Sequence, residues 1–166
     1  MDDPILLIVD GAVEERLALR YADLEALPVQ YHVLDVSRFH PKRQGDGVAL
    51  ESLLERAQPR PDANYLTLHA DRDDFHVSVP LDAVRGQAVV VYKQGENRLE
   101  AAQGGPVRLI IKDPTACHSS ELDECANVKY LSRIELTVQK GRDTRPADDA
   151  SHTALHNGQK KAIDLE

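Results

Sequence analysis

Apolar and polar positions alternate with period two along much of this chain, the spacing of strands that bury one face. The first such run spans residues 5–9 and ends at Asp10-Gly11, a turn signal. Leu17 and Leu19 resume it, and residues 31–36 alternate Tyr31, Val33 and Asp35 with His32, Leu34 and Val36. Residues 65–69 and 75–79 form a further pair around the polar stretch Asp71, Arg72, Asp73 and Asp74, a hairpin signature. Residues 89–92 are continuously apolar and read as a buried strand, followed by a turn at 93–97. Val107, Leu109 and Ile111 then alternate with Arg108 and Ile110 after the turn Gly104-Gly105-Pro106, and Ile134 and Leu136 close the series.

Helical spacing is confined to short pieces. Leu24 and Leu27 predict a helix over 21–27 that stops at Pro28. Leu50, Leu53, Leu54 and Ala57 fall at i, i+3, i+4 and i+7, which predicts an amphipathic helix over 47–57, closed by Pro59 and Pro61. Pro80-Leu81 starts a single turn. Many strands with few short helices predict an α+β domain. From residue 141 the chain turns polar, so the pattern predicts one domain over 1–140 and a polar, mobile tail over 141–166.

Composition narrows the function classes. The chain has 166 residues, 42% hydrophobic and 29% charged, which suits one globular domain with a real core. A net charge of −8 argues against nucleic acid as the main partner, and an aromatic content of 4% without Trp is poor material for base stacking. No apolar run is long enough to span a bilayer. The opening Met1-Asp2-Asp3-Pro4 lacks a basic leader region, so the expected location is the cytoplasm, or the periplasm if a leader was removed. Within this acidic chain a local basic pocket remains open. Arg108 and Lys129 project from ordered elements, where two cations could bind an anion or could be ordinary surface charges. Arg38, His40, Lys42 and Arg43 form a polar loop that could be solvated or could be a basic lip over that pocket. The protein partner is not specified by any pattern here.

The two cysteines lie in one stretch, Cys117-His118-Ser119-Ser120-Glu121-Leu122-Asp123-Glu124-Cys125. Three readings stay open: a disulfide stapling a loop, a metal or redox site from Cys117, His118, Cys125 and a carboxylate, or two free thiols. The spacing is not the CxxC pattern that makes a zinc site specific.

Gly104-Gly105-Pro106-Val107-Arg108, the strand that follows, Val128-Lys129-Tyr130-Leu131 and Arg133-Ile134-Glu135 together resemble the molybdopterin-binding domain of the sulfite oxidase family. Gly11-Ala12-Val13-Glu14, the segment Asp23 to Pro28 and the Gly47-Val48 helix fit the same pattern. The resemblance implies that family's fold, with mixed, mostly antiparallel sheets and a few short helices. It implies molybdopterin as a possible cofactor, held at Arg108, Lys129 and Gln103, with Arg38 nearby, Gln103 standing where the family usually has a histidine. It also implies three departures at the centre of the site. Asp35 stands where the family has the cysteine ligand, Phe75 where it has a tyrosine, and Gln103 has no cationic form. Three functions follow as expectations. The first is a divergent domain without the usual catalysis that keeps a small anion or pterin pocket. The second is a variant molybdopterin-dependent oxidoreductase in which Asp35 replaces the cysteine as ligand. The third is a metal or redox module at Cys117 and Cys125.

Overall fold

The computed structural model describes residues 4–38, 44–111 and 128–144. Ten strands among them form two sheets, with three short helices, so the α+β expectation holds. The strands are β1 (Ile5–Gly11), β2 (Leu17–Arg20), β3 (His32–Val33), β4 (Asp46–Ala49) and β5 (Tyr65–Ala70). They continue with β6 (Phe75–Pro80), β7 (Ala88–Gln94), β8 (Asn97–Arg98), β9 (Arg108–Ile111) and β10 (Arg133–Thr137). The helices are α1 (Tyr21–Glu25), α2 (Leu50–Ala57) and α3 (Leu81–Val84).

The first sheet runs β2-β1-β10-β5-β6, and the second runs β3-β4-β7-β8 with β9 also on β7. Among the described pairs only β1 and β10 are parallel, with Val9 opposite Ile134. One core joins both sheets: Leu7 and Val9 from β1, Leu66 and Leu68 from β5, Ile134 from β10, Leu53 from α2, and Val90 and Leu109 from the second sheet. Fully burying each such side chain contributes roughly 2 kcal/mol. A smaller cluster of Val36, Val89, Val91, Leu99 and Ile110 covers the other face of the second sheet. That is why β7 reads as a continuous apolar run, and why Arg108 and Ile110 are both buried although they alternate with Leu109. No helix among the described residues is long and apolar enough to cross a membrane.

Two elements differ from the sequence expectation. The strand expected over 31–36 is only His32–Val33. Asp35 takes a left-handed conformation at φ 58°, and a single 3-10 turn, Val36–Arg38, follows it. The helix expected over 47–57 begins at Leu50, because Gly47 and Val48 belong to β4. There a Cβ on residue 47 would lie 2.1 Å from the Val90 carbonyl oxygen, so β4 and β7 approach as closely as they do only because residue 47 is glycine. The remaining apolar positions of that pattern do form the buried stripe of α2, namely Leu50, Leu53, Leu54 and Ala57.

Tyr92 on β7 is fully buried and donates its hydroxyl to Glu25 at 3.0 Å, while Lys93 reaches the same carboxylate at 3.1 Å. Burial works against ionising Glu25, but hydrogen bonds from Lys93, Tyr92 and Tyr21 outweigh it and hold the carboxyl below its ordinary range. A depressed carboxyl stabilises the fold above its unfolded pKa, and that contribution disappears as pH falls through the folded one. The Glu25→Gln variant is therefore expected to lose about 0.5 kcal/mol at neutral pH, the pair being partly exposed. Its deficit relative to wild type should shrink below about pH 4, as read by urea melts across pH.

Candidate functional site

The turn before β9 brings two cations together. Glu100 accepts at the start of a 3-10 turn, Ala101–Gln103, and Gly104 ends it with φ 93°. Tyr130 N–H donates to the Gly104 carbonyl at 2.8 Å, and Leu131 N–H to that of Val107 at 2.8 Å. Leu109 and Val128 exchange backbone hydrogen bonds of 2.9 and 3.1 Å. These bonds fix the 128–131 segment against β9. Consequently a Cβ on residue 104 would lie 3.1 Å from Arg108 Nη1 and 3.2 Å from Lys129 Cγ. Arg108 and Lys129 thus converge across a position that only a glycine leaves open. Arg108 is buried at 5% exposure and donates Nη1 to the Gln103 carbonyl at 3.0 Å; Lys129 is exposed. Two cations of different mobility on one turn suit an oxyanion, the guanidinium by its fixed fork and the ammonium as a mobile point charge.

Arg72 adds a third positive group that the sequence reading did not single out. It sits at the β5–β6 hairpin tip with its guanidinium 4.3 Å from the centroid of the Tyr130 ring. Asp71 and Ser132 tie the same tip to the segment through a 2.9 Å hydrogen bond. Only the fold places residue 72 beside residue 130.

Gln103 faces the other way. Its Nε2 donates to Gln94 Oε1, its Oε1 accepts from Glu100 N–H at 3.2 Å, and Gln94 Nε2 in turn donates to Gln44 at 2.7 Å. Both ends of the Gln103 amide are engaged within the protein. This amide chain leads to a polar cleft of about 480 Å³ lined by Asp35, Ser37, Gln44, Asp46 and Gln94. Asp35 is exposed there, and its Oδ1 accepts from the Ser37 N–H at 3.2 Å and from the Ser37 hydroxyl, capping the 3-10 turn. Asp46 accepts from Asp35 N–H at 2.7 Å and from Gly95 N–H at 2.9 Å. Arg38 belongs to the same turn, with Nε 3.4 Å from the Asp35 carbonyl.

Phe75 stands opposite Ala70 in the hairpin and packs, partly buried, against the main core. No group of three or more metal-ligating side chains converges among the described residues. Cys117, His118 and Cys125, like His40, Lys42 and Arg43 of the basic lip, lie outside the described residues. The structure therefore brings the Arg108 and Lys129 side chains together and links Gln103 by an amide chain to Gln44, which lines the same cleft as Asp35. It shows Phe75 partly buried and packed against the core.

Comparison with known proteins agrees with this fold. Residues 43–144 match the oxidoreductase molybdopterin-binding domain. The fold is similar to the crystal structure of the sulfane dehydrogenase SoxCD from Paracoccus pantotrophus, with a TM-score of 0.59 and 19% identity over 81% of this chain. That likeness shows the fold. This chain covers 38% of that one. No curated protein matches.

Proposed function

We propose, for a chain that belongs to the oxidoreductase molybdopterin-binding domain family, that it binds a small phosphorylated ligand of the pterin class without the family's usual catalysis. One observation carries this reading: the convergence of Arg108 and Lys129 across Gly104. A terminal phosphate would take the Arg108 fork and the Lys129 ammonium, with the glycine letting the two side chains pack closely on the turn. Arg108 orients, because its burial and its bond to the Gln103 carbonyl restrict it. Lys129 adds charge from an exposed position and follows the ligand.

The residues present fit the phosphate end of molybdopterin and not its metal end. Bound molybdopterin supplies a redox-active molybdenum for oxygen-atom transfer. Among the described lining of the cleft the donors are carboxylates, amides and a hydroxyl, and both carboxylates already accept backbone hydrogen bonds. The histidine position holds Gln103, whose amide is fully engaged within the protein. We therefore assign no reaction step through the metal.

Titration calorimetry with a pterin monophosphate and with inorganic phosphate tests the binding half. Lys129→Ala is expected to weaken pterin phosphate by about tenfold, the loss of one charge-assisted contact, with an unchanged melting temperature. Arg108→Lys keeps the charge but loses the fork, and should weaken it at least as much. Unchanged affinity in both variants would remove this pocket from the reading. Expression with molybdate followed by elemental analysis tests the other half. Near-stoichiometric molybdenum would sink the non-catalytic reading and reinstate the oxidoreductase one, with Asp35 or no protein ligand.

A further inference from the structure

The first sheet contains a chain of hydrogen-bonded titratable groups centred on two buried histidines. His69 on β5 and His76 on β6 are cross-strand partners, 7% and 3% exposed. Their Nδ1 atoms lie 2.7 Å apart. His69 Nε2 is 2.9 Å from Glu135 Oε1 on β10, and His76 Nε2 is 2.8 Å from Asp74 Oδ1. Four titratable groups therefore stand in line, Glu135–His69–His76–Asp74, joined by three hydrogen bonds. Each bond needs one proton. With both carboxylates ionised, two neutral imidazoles carry only two, so satisfying all three contacts takes a third proton. The hydrogen bond from His76, together with Arg142, holds the Asp74 carboxyl below its ordinary range.

The charges around the chain come from every neighbouring strand. Arg133 on β10 reaches Glu135 at 3.5 Å and Asp10 of β1 at 2.7 Å. Asp71, at the hairpin tip, adds negative charge near Arg133. Arg142 reaches Asp74 at 3.2 Å. Arg142 belongs to a segment, residues 141–144, that lies along the free edge of β6. Thr144 N–H donates to the His76 carbonyl at 2.8 Å, and His76 N–H donates to the Thr144 hydroxyl at 3.1 Å. Gly141 N–H donates to the Ser78 hydroxyl at 2.8 Å, and Ser78 N–H to Asp143 at 3.0 Å. His76 is thus held on its side chain by the proton chain and on its backbone by this segment.

We propose that the His69–His76 pair is a pH-gated latch for the 141–144 segment, closed while the four-group chain holds three protons and opened by the gain or loss of one. A fourth proton sets two Nδ1–H groups against each other at a separation that accommodates one. Loss of the third leaves a lone pair facing a lone pair, either between the rings or between a ring and its carboxylate. Where the break falls between the rings, a buried polar contact is lost, which the low local dielectric makes costly, and the rings separate; where it falls at a carboxylate, the ring loses its hold on Asp74 or Glu135. His76 moves with its ring, and Asp74 with it, so the Thr144 and Arg142 contacts weaken together. The latch has a closed window with two edges, unlike a lone histidine, which has one.

Nitrogen-15 spectra of the histidine rings and hydrogen exchange at the Thr144 amide, recorded on the whole chain between about pH 4 and 9, test it. The expected result is two rings that share three protons near neutrality, with both Nε2 sites protonated. Thr144 protection, corrected for the intrinsic exchange rate, should fall by about tenfold on the acid side and again on the alkaline side. Two neutral rings at neutral pH, or Thr144 protection that ignores the ring titration, would overturn the proposal. In His69→Gln the acid edge should vanish, and its persistence would also overturn it. If that variant does not fold, the wild-type spectra decide.

Discussion

Gly104→Ala is expected to abolish measurable binding of pterin phosphate and to cost about 3 kcal/mol of stability, from positive-φ strain plus crowding. Two effects combine. Residue 104 has φ 93°, a conformation that L side chains rarely adopt. The added methyl also meets Arg108 Nη1 at 3.1 Å and Lys129 Cγ at 3.2 Å. Lys129 is exposed and can swing away, but Arg108 is buried and cannot move without disturbing β9. Gly86→Ala separates the two effects. Gly86 has φ 79° and nothing within 4 Å of its would-be Cβ, so it carries the backbone cost alone, about 1 kcal/mol. The excess of Gly104→Ala over Gly86→Ala measures the crowding at the cation pair. Equal losses in paired urea melts, with ligand affinity retained, would mean that the glycine serves the turn and not the site.

Leu109→Ala is expected to cost about 3 kcal/mol, the usual result of truncating a fully buried leucine in a core that cannot collapse around the gap. Leu109 packs in the main core, its strand pairs with β7, and its backbone exchanges hydrogen bonds with Val128. Those backbone bonds do not depend on the side chain. The folded fraction should therefore bind pterin phosphate with nearly wild-type affinity, while Lys129→Ala shows the opposite behaviour, intact stability with weakened binding. Calorimetry well below the melting transition checks this. A Leu109→Ala protein that is stable but blind to the ligand would show that the cation pair is positioned by core packing and not by the backbone ladder.

The parts of the fold legible in the sequence are those where local pattern and tertiary environment agree. The hairpin 65–79 was readable because alternation flanks a polar turn, and α2 because its apolar positions follow helical period. Asp35 was not readable. Its left-handed conformation is held by Asp46 from eleven residues downstream, and alternation through residues 31–36 gives no sign of that contact. Gly47 fitted the helical pattern equally well as the end of a strand, and only the approach of Val90 decides. Arg108 fell on an alternating position that suggests a solvent face; it is buried because a second apolar cluster covers that side of the sheet. For the site, the family's motif residues pointed to Arg108 and Lys129, but Arg72 enters through a hairpin whose tip reaches the segment only in three dimensions. The histidine pair carried a usable signal. A hairpin turning at 71–74 pairs residue 70 with 75, hence 69 with 76.

The parallel pairing of β1 with β10 sets the order in which the chain can fold during synthesis. β10 lies between the β1–β2 hairpin and the β5–β6 hairpin, so it is the strand that makes one sheet of them. Until residue 137 has left the ribosome, β1 and β2 have only each other, and a two-stranded ribbon is marginal in water. Among the described residues β1 waits for β10, a long loop closure of the kind that slows folding. A nascent chain stalled before residue 133 would display two separate ribbons with open edges, and chaperone dependence should concentrate in that interval of synthesis.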